Sequence, residues 1–193
     1  PVFRDNTAVG TIDASDKAMI GKPMPDFTYG ITLTANYKNF DFLIFGNGSV
    51  GNDVFMSYSY NSISYTLKEM YDQRWTADGT TSRKFARPQN TNADKYGLSD
   101  AYIFDGSYFR IKQIQLGYTL PRTVTKKFLV DKLRVYASLD NFFLFTKYPG
   151  LDPEVSSTAT SGMGVDYGNY PTTKKVVFGL SVTSVSYTHL TLP

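Results

Sequence analysis

The sequence predicts an all-β chain whose antiparallel strands form one portion of a transmembrane β-barrel. Three observations carry this reading. Phe27 to Tyr37 alternates strictly, with apolar Phe27, Tyr29, Ile31, Leu33, Ala35 and Tyr37 set against Thr28, Gly30, Thr32, Thr34 and Asn36. Such alternation gives a strand one apolar and one polar face. Connections between successive strands are short and long by turns, which matches a membrane barrel with tight turns at one end and long loops at the other. The 193 residues are 16% aromatic and 19% charged. That charge content lies below the roughly 25% of an average soluble domain.

The elements follow in order. After the first strand, Lys38-Asn39 reads as a tight turn. A second strand, Phe40 to about Ser49, alternates less cleanly. A third runs from about Ser107 to Leu120. Its apolar phase is odd at Phe109 and Ile111, and even at Ile114, Leu116, Tyr118 and Leu120. A one-residue slip would turn every later side chain to the wrong face, so a β-bulge is predicted at Lys112-Gln113. Pro121 ends this strand. A fourth strand, Leu133 to about Phe145, alternates Leu133, Val135, Ala137 and Leu139 with Arg134, Tyr136, Ser138 and Asp140. A fifth, Lys175 to Thr183, sets Val176, Phe178, Leu180 and Val182 against Val177, Gly179, Ser181 and Thr183.

Of the connections, Val50–Gly106 and Thr146–Lys174 are long and Pro121–Lys132 is short, with room for one helical turn carrying Val124, Phe128 and Leu129. Loops of the longer kind are uncommon in compact domains unless they serve function. Leu67, Met70, Tyr71 and Arg74-Trp75 have helical spacing inside the first long loop. A mean hydropathy of -0.27 fits a barrel, whose strands are apolar on one face only.

Several chemistries are excluded by composition. There is no Cys and a single His, which removes disulfides, thiol catalysis and Cys-based zinc sites, and leaves little for a histidine triad. A net charge of +3 does not suit a nucleic-acid binder. No catalytic residue, cofactor or metal site is expected. Gly46–Asp53 is glycine-rich but lacks the Lys and hydroxyl of a phosphate loop, and reads as a strand end entering a flexible loop. Asp5, Asp13 and Asp16 lack a calcium-loop spacing and read as a solvated loop. Asp152 and Glu154 could be taken as paired carboxylates, but read as a loop turn. Arg122 with Lys126-Lys127, and Lys174-Lys175, read as solvated clusters, the latter open to lipid headgroups.

The ordered motifs resemble the SusC/RagA family of TonB-dependent outer-membrane transporters of Bacteroidetes. Ile20 to Gly30 is similar to the family's "IGNPNPKFTYG" segment, Tyr37 to Asp41 to its hairpin, and Arg74-Trp75-Thr76 to its "RWT". Asp105 to Lys112, Leu116 to Pro121, Leu133 to Tyr136 with Asp140 to Phe142, Lys147 to Val155, Asp166 to Pro171 and Phe178 to Leu180 continue the series. The resemblance covers about residues 13 to 183. It implies the last five strands of a 22-stranded barrel, with residues 1–183 as the C-terminal segment. The plug and the TonB box would lie outside this chain, which starts at Pro1 and not at Met. The tail 184–193 has no family counterpart and is expected to be an artefact.

The resemblance also implies a function. The intact protein would import an oligosaccharide or peptide across the cell outer membrane, with a SusD-like surface lipoprotein as lid and TonB supplying energy through the absent N-terminal part. It implies no enzymatic activity, no nucleic acid, and lipid against the apolar strand faces. Family polarity places both long loops outside the cell and both short turns in the periplasm. Trp75, Tyr102, Tyr167 and Tyr170 then fall in the outer loops, where aromatic faces can meet a ligand or a partner. Two other readings stay open: a soluble carbohydrate-binding β-sandwich, and an enzyme on a β scaffold using Asp152 and Glu154. A sandwich would bury the apolar strand faces against a second layer. With two unpaired edges, a barrel segment is not expected to fold alone.

Overall fold

The computed structural model describes residues 4–8, 10–57, 68–78, 85, 99–128, 130–154 and 162–184. Eight strands occur among them: β1 (Phe27–Tyr37), β2 (Phe40–Val50), β3 (Asp53–Met56), β4 (Ile103–Asp105), β5 (Tyr108–Thr119), β6 (Val130–Thr146), β7 (Val165–Asp166) and β8 (Lys175–Ser184). The long strands build a five-stranded sheet in the order β1-β2-β5-β6-β8, and the short ones a three-stranded sheet, β4-β3-β7. The five long strands are those the alternation predicts. The three short ones correct the expectation of plain loops: β3 and β4 lie within the first long connection and β7 within the second. At two to four residues each, they are too short for a period of two to be recognised.

The chain forms two compact units. One comprises Pro1–Thr28, Ser49–Tyr108 and Thr146–Pro171; the other comprises Tyr29–Gly48, Phe109–Phe145 and Thr172–Pro193. The second unit holds most of the five-stranded sheet. Its β6–β8 ladder is antiparallel and pairs Leu133 with Val182, Val135 with Leu180, Ala137 with Phe178 and Leu139 with Val176. The intervening rungs pair Arg134 with Ser181, Tyr136 with Gly179, Ser138 with Val177 and Asp140 with Lys175. One face is therefore wholly apolar and the other mixed and polar, as each strand's alternation dictates. The apolar face lies open. Phe178 is 79% exposed and Leu180 71% exposed. Ile31, Leu33, Phe40, Phe42, Val176 and Val182 are exposed as well. Among the described residues no second layer covers them, which is the reverse of a sandwich.

The hairpin between β1 and β2 turns on Lys38-Asn39, with Lys38 at φ 53, the left-handed backbone that two-residue hairpins require. The bulge expected in β5 can be traced from side-chain faces. Gly117 shares a face with Asp41, whose carboxylate crowds it, while Phe109 lies over Gly46. Counted by twos, Asp41 and Gly46 fall on opposite faces of β2, yet Phe109 and Gly117 would share a face of β5. Gln113 already faces Ser138, to which its amide donates at 3.4 Å, and Ser138 shares its face with Arg134. The odd residue therefore sits between Phe109 and Gln113, where the apolar phase slips.

Between β5 and β6 the short connection forms α2 (Arg122–Thr125) and a 3-10 turn, Lys126–Phe128. Val124 on it is exposed; the side chains of Phe128 and Leu129 lie outside the described residues. Helix α1 (Lys68–Asp72) is shorter than the spacing predicts. Met70 is buried, but Tyr71 is exposed and Arg74-Trp75 lie beyond the helix; Leu67 lies outside the described residues. β8 continues through Ser184, opposite Val130; the tail from Val185 lies outside the described residues.

Candidate interaction surface

The first unit has its own small core: Val54, Met56, Met70, Phe85, Phe104 and Tyr148. Rings pass contact along it, from Tyr102 to Phe85 (6.3 Å), Phe85 to Phe104 (6.4 Å) and Phe104 to Tyr148 (6.2 Å). These residues come from distant parts of the sequence, and polar staples hold them together. The Tyr148 hydroxyl donates to Asp166 Oδ2 at 2.6 Å, and Gly168 N donates to Asp166 Oδ1 at 2.8 Å. Asp166 is 2% exposed, and a carboxylate so buried needs such donors. β7 lies parallel to β3, Phe55 opposite Val165 and Met56 opposite Asp166. Ser57 N donates to Asp166 O at 2.9 Å.

A second staple gathers around Ser107. Its amide donates to Asp105 Oδ1 at 2.9 Å, and its hydroxyl accepts from Gly51 N at 3.0 Å. Its carbonyl accepts from the Thr146 hydroxyl at 2.9 Å, and that hydroxyl accepts from Tyr148 N at 3.0 Å. Ser107 hydroxyl and amide donation holds the Asp105 carboxyl below its ordinary pKa, with a smaller pull from Lys147. The glycine-rich stretch thus ends in a built corner, which corrects the flexible loop expected there. Gly51 has φ 85, and a Cβ on it would overlap the Asp26 side chain. Asp26 N in turn donates to Val50 O at 2.8 Å. Upstream, Lys22 N donates to Asp53 Oδ2 at 2.9 Å and Asp53 N to Lys22 O at 2.7 Å.

The two carboxylates weighed as a catalytic pair have structural partners. Asp152 is buried and accepts from Glu154 N at 3.0 Å, while Glu154 accepts from the Tyr108 hydroxyl at 3.0 Å. The three N-terminal aspartates are not a plain solvated loop. Asp16 is buried; its Oδ1 accepts from Asn6 N at 2.8 Å and Thr7 N at 3.0 Å, and its Oδ2 from Asp13 N at 2.9 Å. Asp5 accepts from Ala8 N at 2.6 Å and Gly10 N at 2.7 Å, and Asp13 from Ser15 N at 2.7 Å. These amide donors hold all three carboxyls below the ordinary range. Among the described residues no group of three acidic or imidazole side chains is placed to hold a metal.

The four aromatic candidates divide. Tyr102 packs against the core, and burial pushes its hydroxyl pKa up. Trp75 is 41% exposed, and its amide donates to Phe85 O at 2.8 Å. Tyr167 is 59% exposed, next to the anchored Asp166, and Tyr170 is 86% exposed. Trp75, Tyr167 and Tyr170 are therefore exposed, whereas Tyr102 packs inward against Phe85 and the core. The sequence reading missed Tyr71, assigned there to a helix face. It is exposed, with the Arg74 guanidinium 3.7 Å from its ring centroid. Leu151 and Met163 are exposed in the same unit; no periodicity marks them.

Sequence-ordered long strands, one bare apolar face and an elaborated set of long connections define a wall segment of a transmembrane β-barrel. No protein-family model matches the chain. It is 34% identical over 195 residues to TonB-dependent receptor P3 of Formosa agariphila, a match covering 94% of this chain and 18% of that protein. It is also 34% identical over 184 residues to TonB-dependent receptor SusC of Bacteroides thetaiotaomicron, covering 94% and 17%. A solved structure of the RagAB peptide transporter superposes with TM-score 0.67 at 23% identity, over 89% of this chain and 19% of that one. The RagAB peptide importer in its open-open state gives 0.64 at 23% identity, over 83% and 17%. By sequence the chain is thus related to TonB-dependent receptors, SusC among them, and by fold it matches the RagAB structures. It spans under a fifth of the length of the curated relatives it matches.

Proposed function

We propose that the chain is the C-terminal wall of an outer-membrane importer that takes up an oligosaccharide or a peptide through TonB. The single observation that carries this is the β6–β8 register, which gathers one bare apolar face and one polar face along the whole ladder. In a barrel the first meets acyl chains and the second meets water in the lumen. The unit built on β3, β4 and β7 forms outer loops under a SusD-like lipoprotein, with Trp75, Tyr167 and Tyr170 facing the ligand or that partner. Binding, not bond-breaking, is its chemistry, since the carboxylates of Asp152 and Glu154 serve the loop's own fold.

The test uses the whole outer-membrane protein that carries this chain. The chain has no Cys; with any cysteine elsewhere in the protein replaced, single cysteines within it are read separately. Phe178→Cys and Leu180→Cys should resist a water-soluble maleimide in intact outer membranes and be quenched by lipid-borne nitroxide. Ser181→Cys should behave oppositely. Equal aqueous labelling at Phe178→Cys and Ser181→Cys would sink the reading.

A further inference from the structure

The end of the five-stranded sheet that carries its short connections is basic. The Lys38-Asn39 turn and the Pro121–Lys132 connection hold Lys38, Arg122, Lys126, Lys127 and Lys132 against one carboxylate, Asp131. All five cations are exposed. They share one end of the sheet: Thr119 N donates to Asn39 O at 2.8 Å, and Leu120 N to Leu133 O at 2.8 Å. Arg122 pairs with Asp131 at 3.0 Å, which leaves the lysines to set the sign of the surface.

This basic end borders directly on the bare apolar face. Tyr37 and Phe40 are exposed, and Phe40 packs on Tyr118 at 4.7 Å between ring centroids. The Lys38 ammonium lies 5.3 Å from the Tyr37 ring centroid. An apolar stem or ring with a charged tip beyond it is how side chains span a hydrocarbon–water boundary. A face that is merely solvated usually mixes both signs. An acidic protein would satisfy the charge but leave the adjoining aromatic band without a reason. We propose that this end of the sheet binds the phosphodiester headgroups of anionic phospholipids in the leaflet it meets. The proposal rests on the membrane-spanning reading above.

The experiment takes the whole protein in nanodiscs of phosphatidylcholine and phosphatidylglycerol in equal parts and counts retained lipids by native mass spectrometry. Phosphatidylglycerol should be retained in preference. A Lys38→Gln/Lys126→Gln/Lys127→Gln variant should lose that preference by about tenfold or more, since each lysine near an anionic surface is worth roughly fivefold. Lys126→Arg/Lys127→Arg should keep it, and heat-modifiable migration should show both variants folded. Equal retention of the two lipids by the natural protein, or an undiminished preference in the Gln variant, would overturn the proposal. So would tighter binding of soluble polyglutamate than of phosphatidylglycerol vesicles, which would indicate an acidic protein partner. A protein that enters no bilayer would fail the importer reading too; one that enters and shows no lipid preference fails this proposal alone.

Discussion

Arg134 on β6 reaches across β5 to Asp41 on β2 and holds its carboxylate by a two-pronged contact, Nε donating to Oδ1 at 2.8 Å and Nη2 to Oδ2. The strand between them makes room with Gly117, where an added Cβ would collide with both partners. Both side chains are mostly buried, with 21% and 30% exposed, so the pair is less screened than a surface bridge. A double-mutant cycle with Arg134→Ala and Asp41→Ala should give a coupling of about 1 kcal/mol or more. Gly117→Ala should produce the same loss without touching either charge. Thermal stability of the intact barrel, read by heat-modifiable migration, checks both; additive single effects would remove the brace.

Tyr148→Phe should cost roughly 1–3 kcal/mol locally, because it leaves a buried carboxylate oxygen without its donor. The ring packing against Phe104 is preserved, so the loss isolates the hydroxyl. Hydrogen exchange should show it as faster exchange of the Ser57 and Gly168 amides, both of which bond to Asp166. Unchanged exchange at these amides would show that β3 and β7 stay together without it.

Gly51→Ala should destabilise the same unit. Left-handed backbone costs a side-chain-bearing residue on the order of 1–3 kcal/mol, and the Asp26 side chain occupies the space a methyl would take. Gly51→Ala/Asp26→Gly should relieve the clash but not the backbone strain. Limited proteolysis of the folded protein at the β2–β3 corner separates the two.

The aspartate nest at the N-terminal end gives a signed pH dependence. Amide donation lowers the carboxyl pKa values of Asp5, Asp13 and Asp16 in the folded chain. Their contribution to stability is therefore full above the ordinary carboxylate range, and is lost as pH falls through the lowered folded values. Protection of the Asn6, Thr7 and Gly10 amides should fall on that acid limb, and Asp16→Asn should weaken protection at Asn6 and Thr7 at neutral pH as well.

The aromatic residues should separate by role. Trp75→Ala, Tyr167→Ala and Tyr170→Ala should lower ligand uptake or lipoprotein capture while leaving stability within about 0.5 kcal/mol, as exposed substitutions usually do. Tyr102→Ala should instead loosen the Phe85–Phe104 packing and destabilise the unit. Uptake assays paired with proteolysis resolve the four; a destabilised Tyr170→Ala would contradict its exposure.

Alternation by itself determined the long strands. Phe27 to Tyr37 carries its strand in its own residues, because a period of two survives wherever one face meets an apolar medium and the other does not. The phase slip near Lys112-Gln113 likewise announced its bulge, since register cannot shift without turning side chains over. Trp75 and Tyr170 could be named as exposed rings from their loops, while Tyr102 in the same class packs inward. Only the tertiary structure decided that, and it alone brought Tyr148 to Asp166, Ser107 to Gly51 and Arg134 to Asp41. Those contacts join residues far apart in the chain through one or two hydrogen bonds each. Such bonds leave no periodic trace, because their energy depends on where distant segments meet and not on the order of neighbours.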